Sequence, residues 1–231
     1  MPDKDTLYHE LLEDLRAGGC PVCRAAYRAG DSYLNALLHE GVVDVRIRDE
    51  LRAARGPCHR HAWRMARKRG SVLGTAIVYR DIVNTLTQIL DAAESAPLRL
   101  FGGNKQALCR QLASSSLCPA CDLEADAIGR AGKTILKHLS DPEIADGYAL
   151  AGGLCMTHFQ VVLGHASEGA TRTLAGWQAA VFRQLRAELD ELIRKHDHRF
   201  RGEPILEREA GCWTRAVAAV VGQEESLQQN D

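Results

Sequence analysis

Two short cysteine motifs, each present twice at matched spacing, constrain this chain more than any other feature. A CPxC motif occurs at residues 20–23 and again at residues 118–121. A CxxH motif follows each one, at residues 58–61 and 155–158, after 34 intervening residues in the first copy and 33 in the second. This close agreement predicts an internal repeat whose two copies share one local structure.

The four ligand-type side chains of each copy have the composition of a structural zinc site. A closed tetrahedral site uses four cysteine or histidine ligands. A CxxH motif at the start of a helix presents its thiolate and imidazole on one side, one turn apart. We therefore predict two zinc ions per chain, one in each copy. The predicted first site comprises Cys20, Cys23, Cys58 and His61, and the predicted second site comprises Cys118, Cys121, Cys155 and His158.

Two other interpretations of these cysteines remain open. Iron–sulfur clusters are also held by cysteines, with histidine as an occasional replacement. The CPxC motif is, in addition, that of glutaredoxin-like redox pairs, in which the second thiol resolves a mixed disulfide formed by the first. Such pairs follow a β-strand in a βαβ unit, and the sequence shows no such unit. The three interpretations predict different metal contents for the same residues.

Apolar residues recur at helical spacing after each CxxH motif, and we expect them to face the core. In the first copy they are Val72, Thr75, Ala76, Tyr79, Ile82, Val83, Leu86, Ile89 and Leu90, and in the second Leu174, Trp177, Val181, Leu185, Leu189 and Leu192. No alternating apolar pattern is longer than residues 42–47. The sequence predicts an all-α fold of tandem-duplicated helical units with pseudo-two-fold symmetry, each held by one Cys3His metal site.

The repeat divides the chain into three predicted segments. They are a first helical repeat over 1–96, a second over 97–195, and a C-terminal appendage with a short helix over 196–231. The connector from Ala96 to Asn104 contains the proline and glycines that typically separate structural units. A chain of 231 residues is long enough to bury a core without the help of disulfides.

Two of the eight cysteines fall outside the motifs. Cys109 occupies the repeat position held by Leu12, which predicts a small, buried, apolar residue. Cys212 stands beside Trp213 in the appendage and has no counterpart in the repeat. Neither cysteine belongs to a predicted metal site.

The N-terminal segment and the hydropathy of the chain argue against secretion and membrane insertion. Residues 1–20 contain no basic segment followed by an apolar run, as a signal peptide requires. No apolar stretch approaches the roughly 18 residues that indicate a membrane-spanning helix. We therefore expect a cytoplasmic protein that has reduced cysteines and no membrane contact.

Residues 46–69 carry nine lysines or arginines against two acids, although the whole chain has 29 basic and 30 acidic residues. The corresponding part of the second copy, residues 141–169, has no lysine or arginine. This basic segment is either a solvated helix face balanced by acids elsewhere or a surface for nucleic acid, a phosphate ligand or an acidic protein. The candidate anion contacts are Arg60, Arg64, Arg67 and Arg69.

The appendage begins with a polar cluster, Lys-His-Asp-His-Arg-Phe-Arg, over residues 195–201. Its candidate functional residues are His196, Asp197, His198 and Arg199. They would ligate a third metal or act as acid and base. Alternatively, the cations stabilise the end of a long helix, where they meet the negative pole of its dipole.

This combination of motifs resembles a family of uncharacterised bacterial proteins of similar length. The resemblance rests on the two CPxC motifs, the CxxH motif after each, and a closing KHDxRFR element followed by a tryptophan-bearing helix. It covers nearly the whole chain and implies both Cys3His sets and the element Lys195–Arg201. His198 occupies the variable position, where we expect an aromatic residue. The resemblance implies no activity.

The sequence offers no positive sign of catalysis. It contains no glycine-rich phosphate loop, nucleophile elbow, paired-carboxylate site or HExxH motif. We expect a binding or regulatory module whose metal ions are structural. The alternatives are an iron–sulfur or thiol-based redox protein, and a binder of nucleic acid or a phosphate ligand through the basic segment.

Overall fold

A computed structural model describes residues 4–95, 105–200 and 202–224, and within them every regular element is helical. The predicted all-α class is confirmed for these residues. The helices are α1 (Thr6–Arg16), α2 (Pro21–His39), α3 (Val45–Ala54), α4 (His59–Arg67), α5 (Val72–Glu94), α6 (Lys105–Leu112), α7 (Pro119–Lys137), α8 (Pro142–Ala151), α9 (Met156–Leu163), α10 (Glu168–His196), α11 (Glu207–Ala210) and α12 (Cys212–Val221). The predicted connector, residues 96–104, lies outside the described part of the chain.

The described residues pack into two compact units. Unit 1 takes its residues from Met1–Tyr27 and Asp126–Asp231, and unit 2 takes its residues from Arg28–Ala125. These bounds differ from the repeat segments 1–96 and 97–195 because the start of each predicted copy packs with the remainder of the other. The internal repeat itself stays a prediction about the sequence.

In unit 1 the core forms where α1 packs against α8. Helix α1 buries Tyr8, Leu11, Leu12 and Leu15, which share one face because their spacing follows the helical period. Asp5 begins this helix by accepting a hydrogen bond from the backbone N–H of Tyr8 at 3.1 Å. The Tyr8 hydroxyl donates to Asp141 at 3.0 Å and to Glu143 at 2.7 Å, so it joins α1 to the start of α8.

In unit 2 the core has Leu34, Leu37, Leu51, Met65, Val78 and Ile82 among its buried residues. Only part of the apolar stripe predicted on α5 faces this core. Val72, Ala76, Val83 and Leu90 are exposed, although Ile82 is buried. The prediction was wrong for these four residues because periodicity identifies an apolar stripe but not how much of it neighbouring helices cover.

The two cysteines outside the motifs also differ from expectation. Cys109 is exposed, so its predicted burial was wrong. It lies on α6, a short helix that buries none of its residues. Cys212, for which the sequence offered no explanation, is fully buried at the start of α12. Within the described residues, no helix is both long enough and apolar enough to cross a membrane.

His138 is buried in the core of unit 1. Its side chain packs against Tyr8 with ring centroids 4.7 Å apart. Among the described residues, neither of its buried ring nitrogens has a hydrogen-bond partner. Burial, assisted by the charge of Lys137, lowers the pKa of His138 below its ordinary value of 6.5.

We predict that His138→Phe makes the protein less sensitive to acid. Below pH 6.5 the unfolded chain binds a proton that the folded chain binds less readily, so stability falls as the pH decreases through this value. In that window the parent should lose stability relative to the variant by at most about 1.4 kcal/mol per pH unit, until the folded-state pKa is reached. Urea unfolding of both proteins between pH 5.5 and 7.5 measures this difference. If the difference in unfolding free energy between the parent and the variant does not change with pH, the prediction is contradicted.

Two candidate metal sites

All eight ligand-type residues predicted from the sequence belong to clusters in the structure. Site A contains Cys20, Cys23, Cys155 and His158, and site B contains Cys58, His61, Cys118 and Cys121. Within each site the four potential ligand atoms lie within 4.8 Å of one another. Site A lies entirely in unit 1 and site B entirely in unit 2.

The membership of each site corrects the sets predicted from the sequence. Each CPxC motif meets the CxxH motif of the other copy, not the one that follows it. In unit 1 the backbone N–H of Gly19 donates to the carbonyl of Ala151 at 2.8 Å, which brings Cys20 to the turn before Cys155. In unit 2 the backbone N–H of Ser115 likewise donates to Ala53 at 2.8 Å. Spacing along the chain cannot distinguish two equivalent CxxH motifs, whereas these contacts do.

Each ligand sits at the start of a helix, as the motifs predict. Pro21 and Pro119 begin α2 and α7, so the first cysteine of each CPxC motif precedes a helix. Cys58 and Cys155 are the N-cap residues of α4 and α9, with the histidines one turn further on. The positive pole of each helix dipole therefore faces sulfur, which favours thiolates.

The ligand atoms of site A have the separations of a tetrahedral zinc site. The Sγ atoms of Cys23 and Cys155 each lie 3.3 Å from Nδ1 of His158, and Sγ of Cys20 lies 3.6 Å from it. The Sγ atoms of Cys23 and Cys155 are 3.7 Å apart. Zinc bonds of about 2.3 Å to sulfur and about 2.0–2.1 Å to nitrogen imply tetrahedral edges of about 3.8 Å and about 3.5 Å. One ion at the centre would satisfy all four ligands.

Site B has the same dimensions. Nδ1 of His61 lies 3.3 Å from Sγ of Cys58, 3.5 Å from that of Cys118 and 3.4 Å from that of Cys121. The Sγ atoms of Cys58 and Cys121 are 3.6 Å apart. All these cysteines are free thiols, so the short sulfur–sulfur separations are not disulfides.

The pKa values in site B follow from three thiols packed around one imidazole. Burial opposes ionisation of Cys118, but a hydrogen bond with His61 lowers the pKa of this thiol to about 6. Burial and the neighbouring Cys58 raise the pKa of Cys121 to about 12. Burial disfavours protonation of His61, yet its contacts with Cys118 and Glu124 raise its pKa to about 9. A divalent cation is the group that would stabilise all three thiolates together.

Site A shows the same competition for protons. Hydrogen bonds from Cys20 and Cys23 lower the pKa of Cys155 far below its usual range, whereas burial raises that of Cys20. Burial disfavours protonation of His158, but Cys155 and Cys23 raise its pKa to about 9. In each site the histidine favours ionisation of one thiol, Cys118 or Cys155, while burial raises the pKa of another, Cys121 or Cys20.

Site B has an outer carboxylate that the sequence prediction missed. Glu124 is buried, and its Oε1 lies 2.8 Å from Nε2 of His61. Arg60 donates to the same carboxylate, and Nη2 of Arg64 donates to Oε1 at 3.2 Å. A carboxylate on the outer nitrogen of a metal-binding histidine orients the ring and raises its basicity. The sequence signal that could have identified Glu124 is its position, one helical turn after Cys121 on the same helix.

Site A has no equivalent of this carboxylate at the matching repeat position. The counterpart of Glu124 at the first CPxC motif is Ala26, a buried apolar residue. The counterparts of Arg60 and Arg64 at the second CxxH motif are Thr157 and Val161. The two sites therefore share their inner ligands but differ in the charges behind them.

We predict that Glu124→Gln weakens zinc binding at site B alone. The amide keeps the shape of the side chain but removes the charge that supports His61, which should reduce affinity by about 10–100-fold. Competition with a chelator of known affinity measures the binding of both ions. Asp122→Asn is the matched control, because it removes one charge from an exposed residue on the same helix. An equal loss at both sites, or no loss, would contradict the role of Glu124.

The basic segment is largely paired within unit 2. Arg60 and Arg64 contact Glu124, so two of the four candidate anion contacts already face a carboxylate. Lys68 pairs with Asp31, and Arg48 and Arg52 pair with Asp81. These contacts fit the interpretation of a helix face balanced by acids. Arg67 and Arg69 are exposed, and anion binding there stays a prediction.

The polar cluster of the appendage does not gather into a site in the described residues. Nδ1 of His196 hydrogen-bonds the carbonyl of Leu192 at 2.8 Å, and Asp197 pairs with Arg199. The side chain of His198 is exposed beside Asp197. Arg194, Lys195 and His196 occupy the last turn of α10, as the helix-end interpretation expects. Residue 201 lies outside the described part.

The end of the appendage covers site A, a role that the sequence did not suggest. Helix α12 packs on α9 and α10, and Gly222 follows it with a φ of 103°, a conformation that favours glycine. A methyl group on Gly222 would lie 3.6 Å from Sγ of Cys23 and 3.9 Å from Sγ of Cys155. The backbone of this segment therefore forms an outer wall of the site.

The sequence is similar to proteins whose function is unknown. Residues 10–226 match the model of a family of unknown function, DUF6062. A protein of Caldicellulosiruptor sp. (strain Rt8B.4), described as an uncharacterized 23.9 kDa protein in the xynA 3' region, is 26% identical over 216 residues. The match covers 92% of this chain and 99% of that protein. No solved structure matches. The expected similarity to an uncharacterised family is confirmed.

Proposed function

Because the chain belongs to the DUF6062 family, whose function is unknown, we propose a function from its two Cys3His clusters: the protein binds two structural zinc ions. One observation carries this proposal. In each site the separations between ligand atoms match the edges of a tetrahedron around a single zinc ion. The proposed protein is a cytoplasmic binding or regulatory module that depends on these ions for its fold.

The same separations favour a single ion over an iron–sulfur cluster. A cluster places several iron and sulfide atoms among its cysteine ligands. Sulfur atoms 3.6–3.7 Å apart leave room for one ion among them. Four protein ligands also leave no open position for a water molecule, so the sites support a structural role and not metal-assisted hydrolysis.

The exchange of motifs between the sites supports the proposed duplication. Site A joins the first CPxC motif to the second CxxH motif, and site B joins the second CPxC motif to the first CxxH motif. Two equivalent copies produce this reciprocal arrangement when each contributes one half of each site. We propose that the two copies, residues 1–96 and 97–195, descend from one duplicated helical element.

Elemental analysis of protein purified without air tests the proposed function. We expect two zinc ions per chain and a colourless protein, because zinc has a filled d shell. Iron and sulfide in a brown protein would replace the zinc proposal with the iron–sulfur alternative. Folded protein that contains no metal would contradict both and favour the thiol-redox interpretation.

A further inference from the structure

The two sites differ in how much their cysteine residues are exposed to solvent. In site A all three cysteines are buried, with exposed fractions of 4% for Cys20, 8% for Cys23 and 1% for Cys155. In site B Cys118 is buried, but Cys58 and Cys121 are only half-buried. The cysteine residues of site A are therefore less exposed to solvent than Cys58 and Cys121 of site B.

The shield over site A comes from the last described residues of the chain. Gly222 lies against the sulfurs of Cys23 and Cys155. The side-chain amide of Gln223 fills the space beside Gly19, where a methyl group would overlap it. A salt bridge of 2.7 Å between Lys195 and the buried Glu209 fastens the preceding part of the appendage to α10.

The two half-buried cysteines of site B, Cys58 and Cys121, also have their sulfur atoms close together. The Sγ atoms of Cys58 and Cys121 are 3.6 Å apart, one at the N-cap of α4 and the other in the first turn of α7. Oxidation of cysteine requires thiolate character and access for the oxidant. Zinc holds its cysteine ligands as thiolates. Site B meets both requirements with two sulfurs that stand within reach of each other.

We propose that Cys58 and Cys121 are a peroxide-sensitive thiol pair and that their oxidation releases the zinc ion of site B, while site A keeps its ion. This inference rests on the proposed function, since it requires zinc in both sites. The oxidant is a hydroperoxide such as hydrogen peroxide. Site A has the same ligand types and less exposed cysteines, so its zinc release serves as the internal reference for that of site B.

The reaction has two steps. The thiolate sulfur of Cys58 attacks one peroxide oxygen, the O–O bond breaks, and the departing hydroxide takes a proton to form water. The thiolate of Cys121 then attacks the sulfenic sulfur of Cys58, so that an S–S bond forms while the S–O bond breaks, and the departing hydroxide takes a proton from solvent to form a second water. Two electrons pass from the sulfurs to the peroxide. Zinc loses two of its four ligands and departs.

The experiment uses the full chain loaded with zinc and carrying Cys109→Ser, which removes the exposed cysteine outside both sites. Hydrogen peroxide is added, a coloured chelator reports the released zinc, and mass spectrometry of peptides locates disulfides. We expect rapid release of one of the two ions together with a Cys58–Cys121 link. A thiol reductant with added zinc should restore the starting protein. Equal release from both sites, or a link confined to Cys20, Cys23 and Cys155, would overturn the inference.

Two glycine variants test whether the cover produces the difference. Gly222→Ala should lift the segment off site A, because alanine does not readily adopt a φ of 103°. In the Gly222→Ala variant the zinc ion of site A should then be released at a rate approaching that of the ion in site B. Gly211→Ala is the matched control, because Gly211 has an ordinary φ and open space around it. If Gly222→Ala keeps its second ion as long as the control does, the inference is wrong.

The zinc content before peroxide is added separates this inference from the proposed function. Protein that contains no zinc at the start would contradict the proposed function. Protein that starts with two ions and loses neither to peroxide would leave the proposed function intact and overturn the inference.

Discussion

A chain that carries both Cys23→Ser and Cys155→Ser is expected to retain one zinc ion, whereas a chain with Cys23→Ser and Cys58→Ser is expected to lose both. Cys23 and Cys155 belong to site A, so removing both damages one site. Cys58 belongs to site B, so combining it with Cys23 damages two sites. Elemental analysis of the purified variants, after removal of unbound metal by gel filtration, counts the remaining ions.

This comparison distinguishes the observed sites from the sets predicted by sequence order. If each CPxC motif shared its ion with the CxxH motif that follows it, the two double variants would exchange their results. Cys109→Ser is the control and should retain two ions, because Cys109 is exposed and belongs to neither site. Retention of one ion by the variant with Cys23→Ser and Cys58→Ser would refute the structural assignment.

Removal of zinc from the whole protein is expected to abolish cooperative unfolding. Structural zinc sites contribute apparent binding free energies of about 10–16 kcal/mol. Typical domains are stable by only about 5–15 kcal/mol in total. We therefore expect each unit to depend on its proposed ion for most of its stability. Circular dichroism during thermal unfolding, with and without a strong chelator, measures the effect.

The two units should respond similarly to the chelator. Site A joins residues 132 positions apart, and site B joins residues 63 positions apart. The cost of closing these loops differs by only about 0.7 kcal/mol, which is small beside the contribution of zinc. Added zinc should restore the transition, whereas magnesium should not, because it prefers oxygen ligands. An unchanged transition in metal-free protein would show that the sites do not support the fold.

Local spacing in the sequence was sufficient to identify the eight side chains that form the two clusters. Proline directly after Cys20 and Cys118 starts a helix, and the CxxH spacing places His61 and His158 one turn beyond an N-cap cysteine. These relations span a few residues and depend on helix geometry alone. The helical class followed from the apolar periodicity for the same reason. The burial of individual residues could not be predicted in this way, since Val72 and Cys109 are exposed.

Only the tertiary structure decided which motifs share a site and what surrounds them. Both CxxH motifs have the same local form, so the choice depends on long-range packing, such as that of Tyr8 against the start of α8. Glu124 behind His61 and Gly222 over Cys23 are likewise brought there by neighbouring helices. The amino-acid sequence determined the two ligand types and their local geometry, because adjacent turns of one helix control them. Contacts between residues far apart in the chain decided which motifs share a site, which charges lie behind the histidines and how exposed each site is to solvent.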